Sequence, residues 1–227
     1  MYNRNIRPEP VRCAVLIATL LSLPLGTNVA TASPLTLPNP LKICAGPLGQ
    51  LDVQGVVSGM GFYQDNPQGA AGTIGGKRVG AEVTNGMVIV QKEGGPIQFY
   101  LQAGAYSFPT LAEPFTSPTS PVPNDFNAFG ALPIGYLKIA PSANYSIEIG
   151  QLPTLIGAES GFTYQNINIE RGLLWDMEPI ISRGIQLNGT AGPLSASVSL
   201  NDGYFSNRYN VMSGSLSYTI NSANTLG

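Results

Sequence analysis

SRGIQLNGTAGPLSASVSL, residues 182–200, alternates apolar and polar side chains on both sides of one tight turn. Leu194, Ala196, Val198 and Leu200 fall on one side of the second arm, against Ser195, Ser197, Ser199 and Asn201. In the first arm, Ser182–Ala191, Ile185 and Leu187 oppose Gln186 and Asn188. A period of two is the signature of a β-strand, and Gly192-Pro193 is a turn pair. The polar side of this hairpin holds hydroxyls and amides and no charge, which is unusual for a strand face that meets bulk water.

The same pattern continues in both directions. Upstream, Ala131–Ala140 turns at Pro141-Ser142-Ala143 into Asn144–Leu152, where Tyr145, Ile147 and Ile149 oppose Ser146, Glu148 and Gly150. Before that, Val83–Lys92 turns through Glu93-Gly94-Gly95 into Pro96–Tyr106, which sets Ile97, Phe99, Leu101, Ala103 and Ala105 against Gln98, Gln102 and Gly104. Met87-Val88-Ile89-Val90 is apolar on both faces, so the register there is open. Leu51–Tyr63 is the first strand of the series and Val211–Ile220 the last. Connections along these strands, about eight in number, run long, short, long, short, with long ones at 64–82, 107–127, 151–183 and 201–210. No segment carries a convincing helical period outside a short piece within 151–183.

Composition narrows the class. Only 11% of residues are charged and 43% are hydrophobic, against about 25% charged in ordinary soluble domains. Beyond the N-terminus no run approaches the ~20 apolar residues of a spanning helix. Strands of nine to eleven residues, apolar outward and polar inward, with alternating short and long connections, are the pattern of an outer-membrane barrel. Backbone groups in lipid pair only within the protein, so a spanning sheet closes on itself. The sequence therefore predicts an all-β fold: an antiparallel, up-and-down transmembrane β-barrel over residues 48–227.

At the N-terminus, Arg4, Arg7 and Arg12 precede an apolar run from Cys13 to Leu25, and Ala30-Thr31-Ala32 follows. This is the order of a secretory signal peptide, expected over residues 1–32 with cleavage after Ala32. Its removal takes away three Arg and one Glu and moves the formal charge from −2 to −4. Residues 33–47 are Pro-rich and read as an irregular lead-in. Cys44 is then the single cysteine, so no intrachain disulfide forms. With no His, a Cys/His metal site is excluded; no cofactor is expected. A mildly acidic chain without a basic patch excludes nucleic acid as a partner.

The longest connection, QLPTLIGAESGFTYQNINIERGLLWDMEPIISR at 151–183, concentrates charge in a chain that has little. Loops of this length in an ordered domain are functional or disordered, and Leu155, Ile156, Leu173, Leu174 and Ile180 mark this one as ordered. The expectation is that residues 153–180 fold inward and narrow a pore, packed on the wall by Leu155, Ile156, Leu173, Leu174 and Trp175. Glu159, Glu170, Arg171, Asp176 and Glu178 then face Lys138, Glu148 or Arg183, since rings of charge set channel selectivity. An external loop lying over the rim is the alternative.

Two other classes compete. An enzyme lacks a foundation: there is no His for a triad, Gly157-Ala158-Glu159-Ser160-Gly161 lacks the central Ser of a nucleophile elbow, and Gly75-Gly76-Lys77-Arg78 departs from a phosphate loop at Ala71 and Arg78. The pairs Asp176/Glu178 and Glu159/Glu170 match glycosidase carboxylates in type alone. A secreted soluble β-sandwich that binds carbohydrate predicts the same alternation, but calls for Lys and Glu on its solvent face.

Residues 150–159 (GQLPTLIGAE), Arg171-Gly172-Leu173-Leu174-Trp175, Glu178-Pro179 and Asn201-Asp202-Gly203-Tyr204 together resemble the OmpL-like β-barrel porins of Gram-negative outer membranes. The resemblance extends over about residues 50–227. It implies an outer-membrane barrel that passes small hydrophilic solutes or ions, with no catalytic residues; outer-membrane lipid is then a partner, and a homo-oligomer is left open. Barrels of this kind are typically longer than this chain and end on an aromatic residue, so the resemblance also implies the N-terminal part of a larger barrel. A complete eight-stranded barrel with a filled interior is the competing expectation.

Overall fold

The computed structural model describes residues 38–120, 125–221 and 224–227. The expected signal peptide, residues 1–32, and the start of the lead-in lie outside the described residues. Ten strands form one antiparallel sheet in sequence order: β1 Leu41–Cys44, β2 Gln50–Tyr63, β3 Val79–Lys92, β4 Ile97–Tyr106, β5 Ile134–Ser142, β6 Tyr145–Pro153, β7 Ile181–Ala191, β8 Leu194–Asn201, β9 Val211–Asn221 and β10 Asn224–Leu226. The eight long strands, β2–β9, are the eight read from alternation. Two short edge strands are additional, and β1 lies in the segment read as irregular. Among the described residues no pairing joins β1 to β10, so the sheet is open. A helix, α1 (Asp125–Phe129), sits between β4 and β5 rather than in the longest connection, where only single 3-10 turns occur. No described helix is long and apolar enough to cross a membrane.

Register makes the two faces continuous. One row runs Phe99–Leu137–Ile149–Ile185–Leu200–Met212 across six strands. Leu137, Ile149, Ile185, Leu200 and Met212 in it are exposed. The neighbouring row, Gln98–Lys138–Glu148–Gln186–Ser199–Ser213, lies on the other face, where Glu148, Gln186, Ser199 and Ser213 are buried. A water-soluble sandwich has the opposite arrangement, with the apolar face hidden. A bare apolar face and a sheltered polar one are what a sheet needs when its surroundings are lipid outside and water inside.

The open register at Met87–Val90 has a specific resolution. Val88 points to the bare face, while Met87 and Ile89 are buried on the other with Val56 and Tyr106. A bulge sets Ser58 opposite Asn85 and Gly59 opposite Val83, so Thr84 is the extra residue and both Thr84 and Asn85 turn inward. Bulges re-aim side chains in this way. The inner face of β2–β4 is thus apolar with a small polar socket, because another part of the chain lands on it.

Candidate functional site

All four long connections, at 64–78, 107–133, 154–180 and 202–210, leave the sheet at the same end, and short turns close the other. The third reaches back onto the inner face of β2–β4. Thr163 Oγ1 is 2.9 Å from both Ser58 Oγ and Thr84 Oγ1 and accepts from Asn85 Nδ2. Beside it, Gln102 Nε2 donates to Tyr164 OH at 2.9 Å, and Phe162 packs edge-on against Tyr106 with centroids 5.7 Å apart. Phe162, Thr163, Tyr164 and Trp175 are all buried. The loop, which starts after β6, therefore seats itself on strands that are not its sheet neighbours.

Arg171 holds the loops together. It is 1% exposed, and its guanidinium donates to the carbonyls of Ser160 (3.1 Å), Ile169 (2.8 Å) and Gly161, with a longer reach of 3.5 Å to Pro109. It also lies 5.9 Å from the Phe108 ring and 5.8 Å from the Trp175 ring. The main chain ties the same two loops: Leu111 N–H donates to Arg171 O and Arg171 N–H to Pro109 O, each at 2.9 Å. Only a planar fork with several donors satisfies so many carbonyls at once. Burial pulls the Arg171 pKa down to about 10, opposed by Asp125 and Glu159, so the side chain stays charged at neutral pH.

The carboxylates are arranged around this centre. Asp125 Oδ2 accepts from Phe108 N–H at 2.6 Å. Burial pushes its pKa up to about 6, against the Phe108 hydrogen bond and Arg171. Glu159 accepts from Gly172 N–H through both oxygens, at 3.0 and 3.1 Å. The Glu178 Oε2 is buried without a hydrogen-bond partner, and desolvation followed by Glu159 raises its pKa. Glu170 and Asp176 are exposed. Asp176 and Glu178 border a cavity of about 400 Å³ with Glu113 and Asp125, so the long-loop end carries excess negative charge.

The remaining expected residues sit elsewhere. Lys138 and Glu148 pair at 3.3 Å on the inner wall of β5 and β6. Arg183 pairs with Asp202 at 2.6 Å, bonds Asn207 at 2.8 Å and lies 4.7 Å from the Phe205 ring, which ties β7 to the fourth loop. Two corrections follow. Arg171 is enclosed by protein instead of facing an opening. Ile156, Leu173 and Leu174 are exposed, with Leu174 at 74%; of the expected anchors Trp175 is buried and Leu155 half-buried, and Phe162, Thr163 and Tyr164 are buried beside them. Nothing periodic marks those three in the sequence.

Residues 50–227 match the model of the family described as "Putative beta-barrel porin-2, OmpL-like". The chain belongs to this family. No curated protein and no solved structure matches it. In this member of the family the bare face of the sheet is apolar and the sheltered face polar, and the long loops gather at one end of the sheet. Phe62–Phe115 packs the second loop on β2, and Phe129–Phe205 and Tyr204 OH to Met177 O tie the fourth loop to the second and the third.

Proposed function

We propose that the protein is an outer-membrane channel for passive diffusion of small hydrophilic solutes, constricted by residues 153–180. The observation that carries the reading is the seating of Phe162-Thr163-Tyr164 on the inner face of β2–β4. A loop lying over the rim would have no reason to fill a polar socket made by a bulge inside the wall. Its hydrogen bonds and rings offset the entropy of ordering a long segment, so it narrows the lumen without needing to move.

Charge supports a preference among ions. The four long loops hold eight acids against four bases, Lys77, Arg78, Arg171 and Arg208, and a negative mouth concentrates cations. A soluble carbohydrate-binding sandwich is disfavoured because the apolar face of the sheet is bare. Swelling of proteoliposomes in solutes of graded size tests the proposal. The full chain should admit small solutes, and replacing residues 157–172 by a short Gly-Ser link should raise the size limit. Liposomes that swell no faster than protein-free ones would refute it.

A further inference from the structure

We propose that a lumen-side cavity near the short-turn end of the sheet binds neutral polyhydroxylated solutes, sugars of one ring above all. The proposal rests on the channel reading and names the solute class that this wall selects. The cavity is about 270 Å³ and is lined by Gln98, Lys138, Ser146, Asn188 and Thr190. A ring can displace the water there only if it replaces the hydrogen bonds of that water.

The lining is built to do that without net charge. Lys138 is neutralised by Glu148 at 3.3 Å, and Glu148 accepts from Gln186 at 3.4 Å. Asn188 Oδ1 accepts from Gln186 and from Ser197, both at 2.7 Å, and its Nδ2 donates to Ser146 Oγ at 3.3 Å. The inner faces of β8 and β9 continue with Ser195, Ser197, Ser199, Ser213, Ser215 and Ser217, with no ionisable group. Ions are selected by rings of charge or of converging carbonyls, and this wall has neither. Hydroxyls and amides each donate and accept, as the hydroxyls of a sugar do.

A sugar also has apolar C–H faces, and the wall provides for them one step toward the loops. Gln98 and Lys138 are register partners, and so are Tyr100 and Tyr136 two residues on. The two tyrosine rings stack at 5.5 Å with 14° between planes. Tyr100 OH donates to Gln102 Oε1 at 2.9 Å, and Gln102 in turn donates to Tyr164 of the constricting loop. Aromatic bodies with polar tips suit a ligand that is apolar on its faces and wet at its edges. The track therefore runs from the constriction to the cavity as one amide, hydroxyl and tyrosine surface.

The test is ion current through single channels of the full chain in a planar bilayer, titrated with glucose and with glucuronate, a charged ring of similar size. Glucose should reduce the current saturably and glucuronate at least several-fold less effectively. Asn188→Ala and Ser146→Ala should each raise the half-blocking glucose concentration several-fold, measured against each variant's own sugar-free current. Current that falls only in proportion to sugar concentration in the unmodified chain, or equal block by both solutes, would overturn this proposal and leave the channel reading standing. Absence of any current would overturn both.

Discussion

Replacing Arg171 by Ala should release the third long loop while leaving the sheet intact. The side chain makes three close bonds to carbonyls of its own loop, to Ser160, Gly161 and Ile169. Hydrogen bonds to a charged group contribute about 1.5–3 kcal/mol each. If water reaches one freed carbonyl and two stay unsatisfied, the loss is about 3–6 kcal/mol, before the ring contacts with Phe108 and Trp175 are counted. At about 1.4 kcal/mol per tenfold, the open form of the loop should become about 10²–10⁴ times more populated. Trp175, the only tryptophan, reports this directly because it is 1% exposed and touches the guanidinium. In Arg171→Ala its emission should shift to the red, acrylamide should quench it, and amides across 158–176 should exchange faster. Arg171→Lys restores the charge but not the fork, and should recover less than half of the protection. Unchanged quenching and exchange in Arg171→Ala would refute the assignment of Arg171 as the tie between the two loops.

Other consequences follow from the same geometry. Cysteines at Val198 and Ser197, in a background where the exposed Cys44 is replaced by Ser, should label oppositely, Val198→Cys with a lipid-soluble reagent and Ser197→Cys with a water-soluble one; equal labelling contradicts the assignment of faces. Gly150 has φ +146°, and a Cβ there would collide with the Gly135 carbonyl oxygen and press on Tyr136, so Gly150→Ala should cost ~1–3 kcal/mol and lower the yield of heat-resistant folded protein. Desolvation raises the pKa of the half-buried Asp125 to about 6 from an ordinary 3.8. Between those values the folded protein holds a proton that the released loop has lost, so loop stability should be full below about pH 4 and fall as pH rises to about 6. Trp175 quenching followed over that range should show the fall in the parent chain and not in Asp125→Asn; identical profiles would remove Asp125 as its origin.

How much of this was legible in the sequence depends on length and periodicity. The eight long strands each carry enough alternating residues to declare themselves, and Leu194–Asn201 does so without exception. Leu41–Cys44 did not, because four residues following Pro38 and Pro40 are too few for the alternation of Leu41, Lys42 and Ile43 to stand out, and its strand character comes from pairing with Gln50–Val53. Asn224–Leu226 is shorter still. Met87–Val90 looked ambiguous for a physical reason: its inner residues are covered by a loop distant in sequence, which is a tertiary fact that local pattern cannot hold.

In the loop, the concentration of charge and the tryptophan were visible, but the roles were not. Leu173 and Leu174 are an apolar pair and are exposed, whereas Thr163, a polar residue, is an anchor because Ser58, Thr84 and Asn85 form a socket for it. Arg171 reads as a pore charge until Phe108 and Pro109, some 60 residues earlier, enclose it.

The central claim is that a loop seated on the inner wall narrows an aqueous pore. Single-channel conductance of the full chain in a planar bilayer tests it most directly, compared with a variant lacking Gly157–Gly172, which removes Thr163, Tyr164 and Arg171 together. The account predicts discrete, passive conductance in the parent and a several-fold larger conductance in the variant; equal conductance in the two would place the loop outside the pore and contradict it.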